Sequence, residues 1–291
     1  MEKLAILRKK ILILLEMIKF KLTVFALPFA FTGAFLASRG IPEINIFFWI
    51  ILAMFGARTC AMGFNRIVDR NFDKANPRTA ARALPAGEVR LSEAWAMVLV
   101  SGAVFFFACL NLNPLTLLLS PFALSLTLFY SITKRFTAFC HLILGVALAF
   151  SPLGGWVAVQ GSLVDYPFAL SLGVLFWVAG FDTIYACLDA DFDRQAKLYS
   201  LPSRLGKKYA FRLAGGFHLL AFAFFALTGY QAELNIFYYI GVVFAAGALL
   251  YQHMLVNPED LSRIRASFFS MNGFISVALF VATWISLATL G

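Results

Sequence analysis

Apolar residues come in runs of bilayer length from one end of this chain to the other, and short polar segments separate them. A membrane-spanning helix needs about 20 mostly apolar residues. Such runs lie near residues 20–38, 44–63, 94–112, 114–131, 139–160, 166–186, 211–230, 235–256 and 267–290. Breaker or polar signals mark the divisions: Arg39-Gly40-Ile41-Pro42, Asn113-Pro114, Gly161-Ser162 and Asn257-Pro258. The pattern predicts an all-α polytopic membrane protein of nine helices. It also predicts a single membrane-embedded unit over residues 1–291, because no polar segment is long enough to fold alone. The Ile6–Ile18 stretch, with lysines around it, reads as an amphipathic helix within residues 1–19 that lies on the membrane surface. Lys9-Lys10 before an apolar run resembles the start of a signal peptide. The long run, with no small-x-small cleavage site and eight more spans behind it, reads instead as a retained first span.

Composition agrees. The chain is 61% hydrophobic and 13% charged, with mean hydropathy +0.83, against about 25% charged residues in a soluble domain. The net charge of +9 does not point to nucleic acid, because the basic residues flank apolar runs rather than forming a soluble face. Taken loop by loop, 22 of the 24 Lys and Arg fall in the N-terminal segment and in the second, fourth, sixth and eighth connections. Only Arg39 lies in an opposite loop and Arg58 inside a span. This alternation checks the count of nine and puts the N-terminus in the cytoplasm and the C-terminus outside. Cys60, Cys109, Cys140 and Cys187 sit singly in or beside apolar stretches, without metal-like spacing to His141, His218 or His253. They read as small packing residues.

Acidic residues are few, so their grouping carries information. Asn65, Asp69 and Asp73 follow i, i+4, i+8 at the end of the second span. Asp182, Tyr185, Asp189 and Asp193 follow i, i+3, i+7, i+11 at the end of the sixth, with Asp191 on another face. On a helix each set shares one face. Carboxylates are costly in a membrane and mark function by default. The bland reading is two solvated helix ends paired with nearby arginines. The functional one is a Mg²⁺ site, since Mg²⁺ takes carboxylate, phosphate and water oxygens. Arg78 and Arg82 follow the first stripe, Lys197 and Arg204 the second, and Lys134 and Arg135 enter between them. Acid beside base at a membrane surface suits a magnesium-bound diphosphate, with the cations on phosphate oxygens. For each of these cations an ion-pair lattice is the alternative. Arg58 lies seven residues before Asn65 on the same face. It either pairs with Asp69 or clamps an anionic group deeper in. Most of the 33 Phe face lipid or pack, while Tyr185 is placed to shield a cation.

The run Asn65-Arg66-Ile67-Val68-Asp69-Arg70-Asn71-Phe72-Asp73, then Asn76-Pro77-Arg78-Thr79 and Arg82-Ala83-Leu84-Pro85-Ala86-Gly87, resembles the first signature of the UbiA superfamily of intramembrane prenyltransferases. Asp182-Thr183-Ile184-Tyr185-Ala186-Cys187-Leu188-Asp189-Ala190-Asp191-Phe192-Asp193 resembles its second. Tyr130-Ser131-Ile132-Thr133-Lys134-Arg135 and Ser203-Arg204-Leu205-Gly206 resemble two further elements, so the likeness covers nearly the whole chain. It implies nine helices around a lipid-open cavity with two Mg²⁺ ions near the cytoplasmic mouth. It also implies transfer of a polyprenyl group from its diphosphate to an aromatic acceptor. The detailed motifs look nearest the 4-hydroxybenzoate branch, in quinone biosynthesis at a bacterial inner membrane. On this resemblance Asp69, Asp73, Asp189 and Asp193, with Asn65, hold Mg²⁺. Arg78, Arg82, Lys134, Arg135, Lys197 and Arg204 hold diphosphate, Arg58 and Tyr185 face an aromatic acid, and Asp182 or the diphosphate takes the proton. One departure stands out: Arg66 replaces the acid the family often carries. A naphthoate acceptor, as in menaquinone synthesis, and an ion-coupled transporter are the alternatives. Oligomeric state and prenyl chain length leave no mark in the sequence.

Overall fold

A bilayer offers backbone groups no water, so each spanning segment must satisfy its hydrogen bonds internally, as a helix does. The computed structural model of the chain obeys this. It describes residues 2–19 and 23–290, and the side chains of all these except 2–7, 9, 11, 23–25 and 265–269. Among the described residues there is no strand. The helices are α1 (Glu2–Met17), α2 (Thr23–Ser38), α3 (Ile44–Val68), α4 (Arg70–Ala75), α5 (Leu91–Leu110), α6 (Pro114–Thr133) and α7 (Cys140–Gln160). They continue with α8 (Phe168–Ala186), α9 (Ala190–Gln195), α10 (Leu201–Leu205), α11 (Lys207–Gln231), α12 (Ile236–Leu255) and α13 (Ile264–Ala288).

Each of the nine predicted spans meets one of these helices. Eight are long and apolar enough to cross a membrane, the fifth of them running from Phe168 to Gln195 through a short turn. The first is shorter: α2 offers an apolar stretch over Ala26–Ser38. Residues 20–22, which the sequence reading gave to this span, lie outside the described residues.

Small residues set the closest helix approaches, since membrane helices gain by packing rather than by excluding water. A Cβ on Gly33 of α2 would run into the Pro152 carbonyl of α7, and one on Gly155 of α7 into the Ala30 carbonyl. Gly56 of α3 meets the backbone of α5 at Ser101 and Phe105 in the same way. The main core lies around Phe29, Trp177, Phe225 and Tyr238, where α2, α8, α11 and α12 meet. On the other side of the molecule α3, α5 and α6 pack around Cys60, Val98 and Phe105. Between these masses runs a cavity of about 470 Å³.

Candidate active site

Both acidic stripes reach this cavity, although neither is one continuous helix. α3 stops at Val68; Asp69 is its C-cap, and α4 begins at Arg70 and carries Asp73. α8 stops at Ala186, a 3₁₀ turn spans Cys187–Asp189, and α9 carries Asp193. The expected single-face helical stripes are thus each bent at an aspartate. Asn65, Asp69, Asp73, Asp182, Tyr185, Asp189 and Asp193 nonetheless all line the cavity. Asp191 points away and pairs with Lys207 at 3.0 Å.

The acids do not converge on one point. Among the described residues no group of three or more His, Cys, Asp or Glu is placed to hold a metal ion unaided. Each of the four presumed ligand carboxylates instead has its own cation. Arg135 Nη2 lies 3.1 Å from Asp69, whose other oxygen accepts from Asn65 Nδ2 at 3.0 Å. Arg82 Nη1 donates to both Asp73 oxygens, at 2.6 and 2.7 Å. Arg78 grips Asp189 with Nε at 2.7 Å and with Nη2, and Asn76 Nδ2 adds a bond at 2.9 Å. Lys134 Nζ lies 3.0 Å from Asp193 Oδ1, and Ser200 Oγ donates to Oδ2.

Burial makes these pairings necessary, since an unpaired charge in a dry site is expensive. Burial pushes the Asp69 carboxyl above its ordinary value, although Lys134 and Arg135 pull against it. Burial alone would lower Lys134, but Asp193 beside it, with Asp189 and Asp69 beyond, holds the ammonium above its usual range.

Four of the six predicted diphosphate cations therefore belong to this cluster, and Arg78, Arg82 and Lys134 line the cavity itself. The structure does not bring in the other two. Lys197 is exposed at the end of α9, in the left-handed region at φ 56°. Arg204 is exposed with its guanidinium 4.0 Å over the Tyr199 ring. Both follow the second stripe in sequence, but the loop into α10 turns them outward. Arg58 lies deeper along the cavity, and its buried Nε has no hydrogen-bond partner. The pairing of Arg58 with Asp69 is not formed, because Arg135 holds that acid.

Sequence reading assigned no role to Asn76, His141, Ser200 or a buried Arg66. Asn76 stood in a quoted motif, but its bond to Asp189 crosses 113 positions. His141 Nδ1 lies 2.7 Å from Asp182 Oδ2, and its Nε2 accepts from the Leu201 backbone N–H at 3.4 Å. With Nε2 taken as acceptor, Nδ1 carries the proton and donates to Asp182. Nothing in the sequence links these positions.

The donor set suits Mg²⁺. It is all oxygen, and Asp193 Oδ1 is buried with an ion-pair neighbour but no hydrogen bond. From this mouth the cavity runs past Arg58 to Leu112, Thr116 and Ala158 at the far ends of α5, α6 and α7, among apolar side chains. It can hold an anion at one end and a long hydrocarbon along its length.

Comparison with known proteins gives the same picture. Residues 26–284 match the sequence profile of the UbiA prenyltransferase family. A 4-hydroxybenzoate octaprenyltransferase of Shewanella woodyi is 31% identical over 247 residues, 85% of this chain and 86% of that one. The apo structure of a UbiA homolog from Aeropyrum pernix K1 superposes with TM-score 0.82 at 34% identity, covering 92% of this chain and 98% of the other. A UbiA homolog from Archaeoglobus fulgidus, solved with GPP and Mg²⁺, shares the fold at TM-score 0.73 and 18% identity, over 95% and 99% of the two chains.

Proposed function

This chain belongs to the UbiA prenyltransferase family, and we propose that it transfers a polyprenyl group from its diphosphate to 4-hydroxybenzoate, releasing diphosphate, in ubiquinone biosynthesis. One observation carries the reading: a cavity with a charge-paired mouth, a partnerless arginine nitrogen further in and an apolar length beyond. The acceptor follows the Shewanella woodyi relative, whose name specifies it. Arg58 fits that acceptor, since a guanidinium binds a carboxylate in fork geometry. The basic side of the protein faces the cytoplasm of a bacterial inner membrane, following the charge bias of the loops.

Asp69 and Asp73 with Asn65, and Asp189 with Asp193, would hold magnesium, which when bound neutralises charge on the leaving diphosphate. Arg78, Arg82 and Lys134 leave their carboxylates for phosphate oxygens and steady the negative charge as the allylic C–O bond breaks. Tyr185 shields the allylic cation. Arg58 holds the acceptor carboxylate so that the ring carbon ortho to the hydroxyl faces that cation. The new C–C bond forms there, and the ring proton passes to Asp182, which His141 Nδ1 keeps oriented as a carboxylate. The acids lie at a cavity mouth among basic loops, at helix ends rather than at the middle of the spans, which argues against ion-coupled transport.

The test is prenyl transfer by purified protein in detergent, from geranyl diphosphate and longer donors to a panel of aromatic acids, with and without Mg²⁺. Magnesium-dependent prenylated 4-hydroxybenzoate is expected. Asp189→Asn should abolish turnover while inserting normally. Product with a naphthoate alone would overturn the acceptor, and no product with any acceptor would overturn the reaction.

A further inference from the structure

Arg66 is the residue at which this chain departs from the family pattern, and no role has yet fallen to it. It sits in the last turn of α3 with only 5% of its surface exposed. A buried guanidinium must satisfy its donors. Nε donates to the Met17 carbonyl at 3.2 Å, and Nη1 to Asn65 Oδ1 at 3.4 Å, with Asp73 Oδ2 3.9 Å from the same nitrogen. One side chain thus joins the end of α1 to two residues of the first acidic motif, one of them bound to Arg82.

The end of α1 suits this contact. The last carbonyls of a helix have no intrahelical donor and form the negative end of its dipole, where a cation is favoured. Directly after α1, Lys19 adopts the left-handed region at φ 48° and turns the chain so that it borders the cavity.

From Lys10 to Met17 α1 is also held beyond what a helix merely lying on the surface requires. Met17 is buried against Leu84, Val89 and Ala94, with Ile13, Leu14 and Met97 around them. Lys10 Nζ pairs with Glu93 at 2.8 Å and donates to the Glu88 carbonyl at 3.1 Å. Leu84 stands two residues after Arg82, in the segment that also carries Arg78. α1 therefore rests on the loop whose arginines face the cavity, and Arg66 ties α1 to the acid that loop engages.

We infer that Arg66 is a positioning residue that clamps α1 onto the first acidic motif, so that α1 braces the Arg78–Arg82 loop for diphosphate binding. The arrangement rests on the diphosphate reading of that loop. In place of a further acid, the chain carries a cation that lines the cavity beside Asn65 and Asp69 and acts through a helix.

The test uses the full-length protein in detergent. Binding of inorganic diphosphate with Mg²⁺ is measured by calorimetry, and backbone hydrogen exchange is followed over residues 2–19 and 76–90. Arg66→Gln removes the clamp, and Leu14→Asp lifts α1 from the Leu84 cluster without touching the motif. Each is expected to weaken diphosphate binding about tenfold and to speed exchange in both segments. The double variant should be within about twofold of the weaker single one, because both break one linkage, and the KM for the aromatic acid should stay within about twofold.

Should Arg66→Gln fail to fold, Arg66→Lys keeps the charge but not the fork, and the same coupled changes are expected at smaller size. Independent, multiplying losses in the double variant would overturn the inference. So would a folded Arg66 variant with faster exchange in neither segment. Wild-type protein that binds no magnesium diphosphate would overturn the functional reading as well, which separates the two failures.

Discussion

On the proposed function, Arg78 occupies the carboxylate that magnesium would take, so metal and diphosphate binding should be strongly coupled in this site. Arg78 makes two charge-assisted hydrogen bonds to Asp189, with side-chain exposures of 18% and 13% for the two residues. Hydrogen bonds involving charged groups contribute about 1.5–3 kcal/mol each. Taking the low end for both, magnesium arriving alone must break about 3 kcal/mol of interaction, roughly two decades in affinity. When diphosphate arrives with it, Arg78 moves onto phosphate oxygens and that loss is offset. Arg78→Gln removes the competing cation, while Asn76 still donates to Asp189 at 2.9 Å and keeps it placed. In titration calorimetry the variant should bind Mg²⁺ alone about 10–100-fold more tightly than wild type. It should bind diphosphate at saturating Mg²⁺ correspondingly more weakly. An arginine that only contacts phosphate would leave binding of Mg²⁺ alone unchanged, and that result would refute the exchange.

Three further outcomes follow from individual contacts. Arg58→Gln should raise the KM for 4-hydroxybenzoate by about 10–100-fold, the loss of one charged hydrogen bond, and leave the KM for the prenyl donor nearly unchanged; steady-state kinetics varying each substrate decide it. Burial already lifts the Asp69 carboxyl above its ordinary value, and Arg135 pulls it down. Arg135→Gln should therefore raise it further and move the acid limb of kcat/KM to higher pH, and a limb that stays or moves down would remove Asp69 as its source. Gly33→Ala places a methyl against the Pro152 carbonyl and should destabilise the protein by about 1–3 kcal/mol, the usual range for overpacking, read as a lower Tm in detergent.

Much of the architecture was legible because the membrane makes it so. A bilayer demands long apolar helices, and each of the nine runs met a helix, eight of which are long and apolar enough to cross among the described residues. What the sequence could not show was how helices end. Regular i, i+4 arithmetic carried Asp69 to Asp73 and Asp182 to Asp193 along ideal helices, whereas the backbone bends at Asp69 and at the 187–189 turn. The acids nonetheless all line the cavity, while Lys197 and Arg204, near the motif in sequence, are exposed. The expectation for α1 was similarly partial. Its lysines and apolar residues were visible, but its contact with Leu84 and its tie to Arg66 depend on partners 67 and 49 positions away. Periodicity within one helix carries no information of that kind.

The pairing of acids and bases also bears on why such a site survives insertion into a membrane. Four carboxylates gathered at the mouth of an apolar cavity would repel one another and pull in protons unless each were balanced. Arg135, Arg82, Arg78 and Lys134 each balance one of them, and Arg66 adds a second cation beside Asp73. The first four of these cations all come from connections that follow or face the acids, so the folded chain supplies its own counterions before any ligand arrives. On the proposed function the same groups would serve the reaction, because a cation on a carboxylate at 2.6–3.1 Å is already partly desolvated and needs to move only a short way to a phosphate oxygen. Arg58 lies outside this scheme. Its Nε is buried without a partner, a costly state that an acceptor carboxylate would relieve. On the proposed function the paired cations can wait without substrate, whereas Arg58 Nε would gain a partner when the acceptor enters, which would tie the strength of acceptor binding to the group left unsatisfied in its absence.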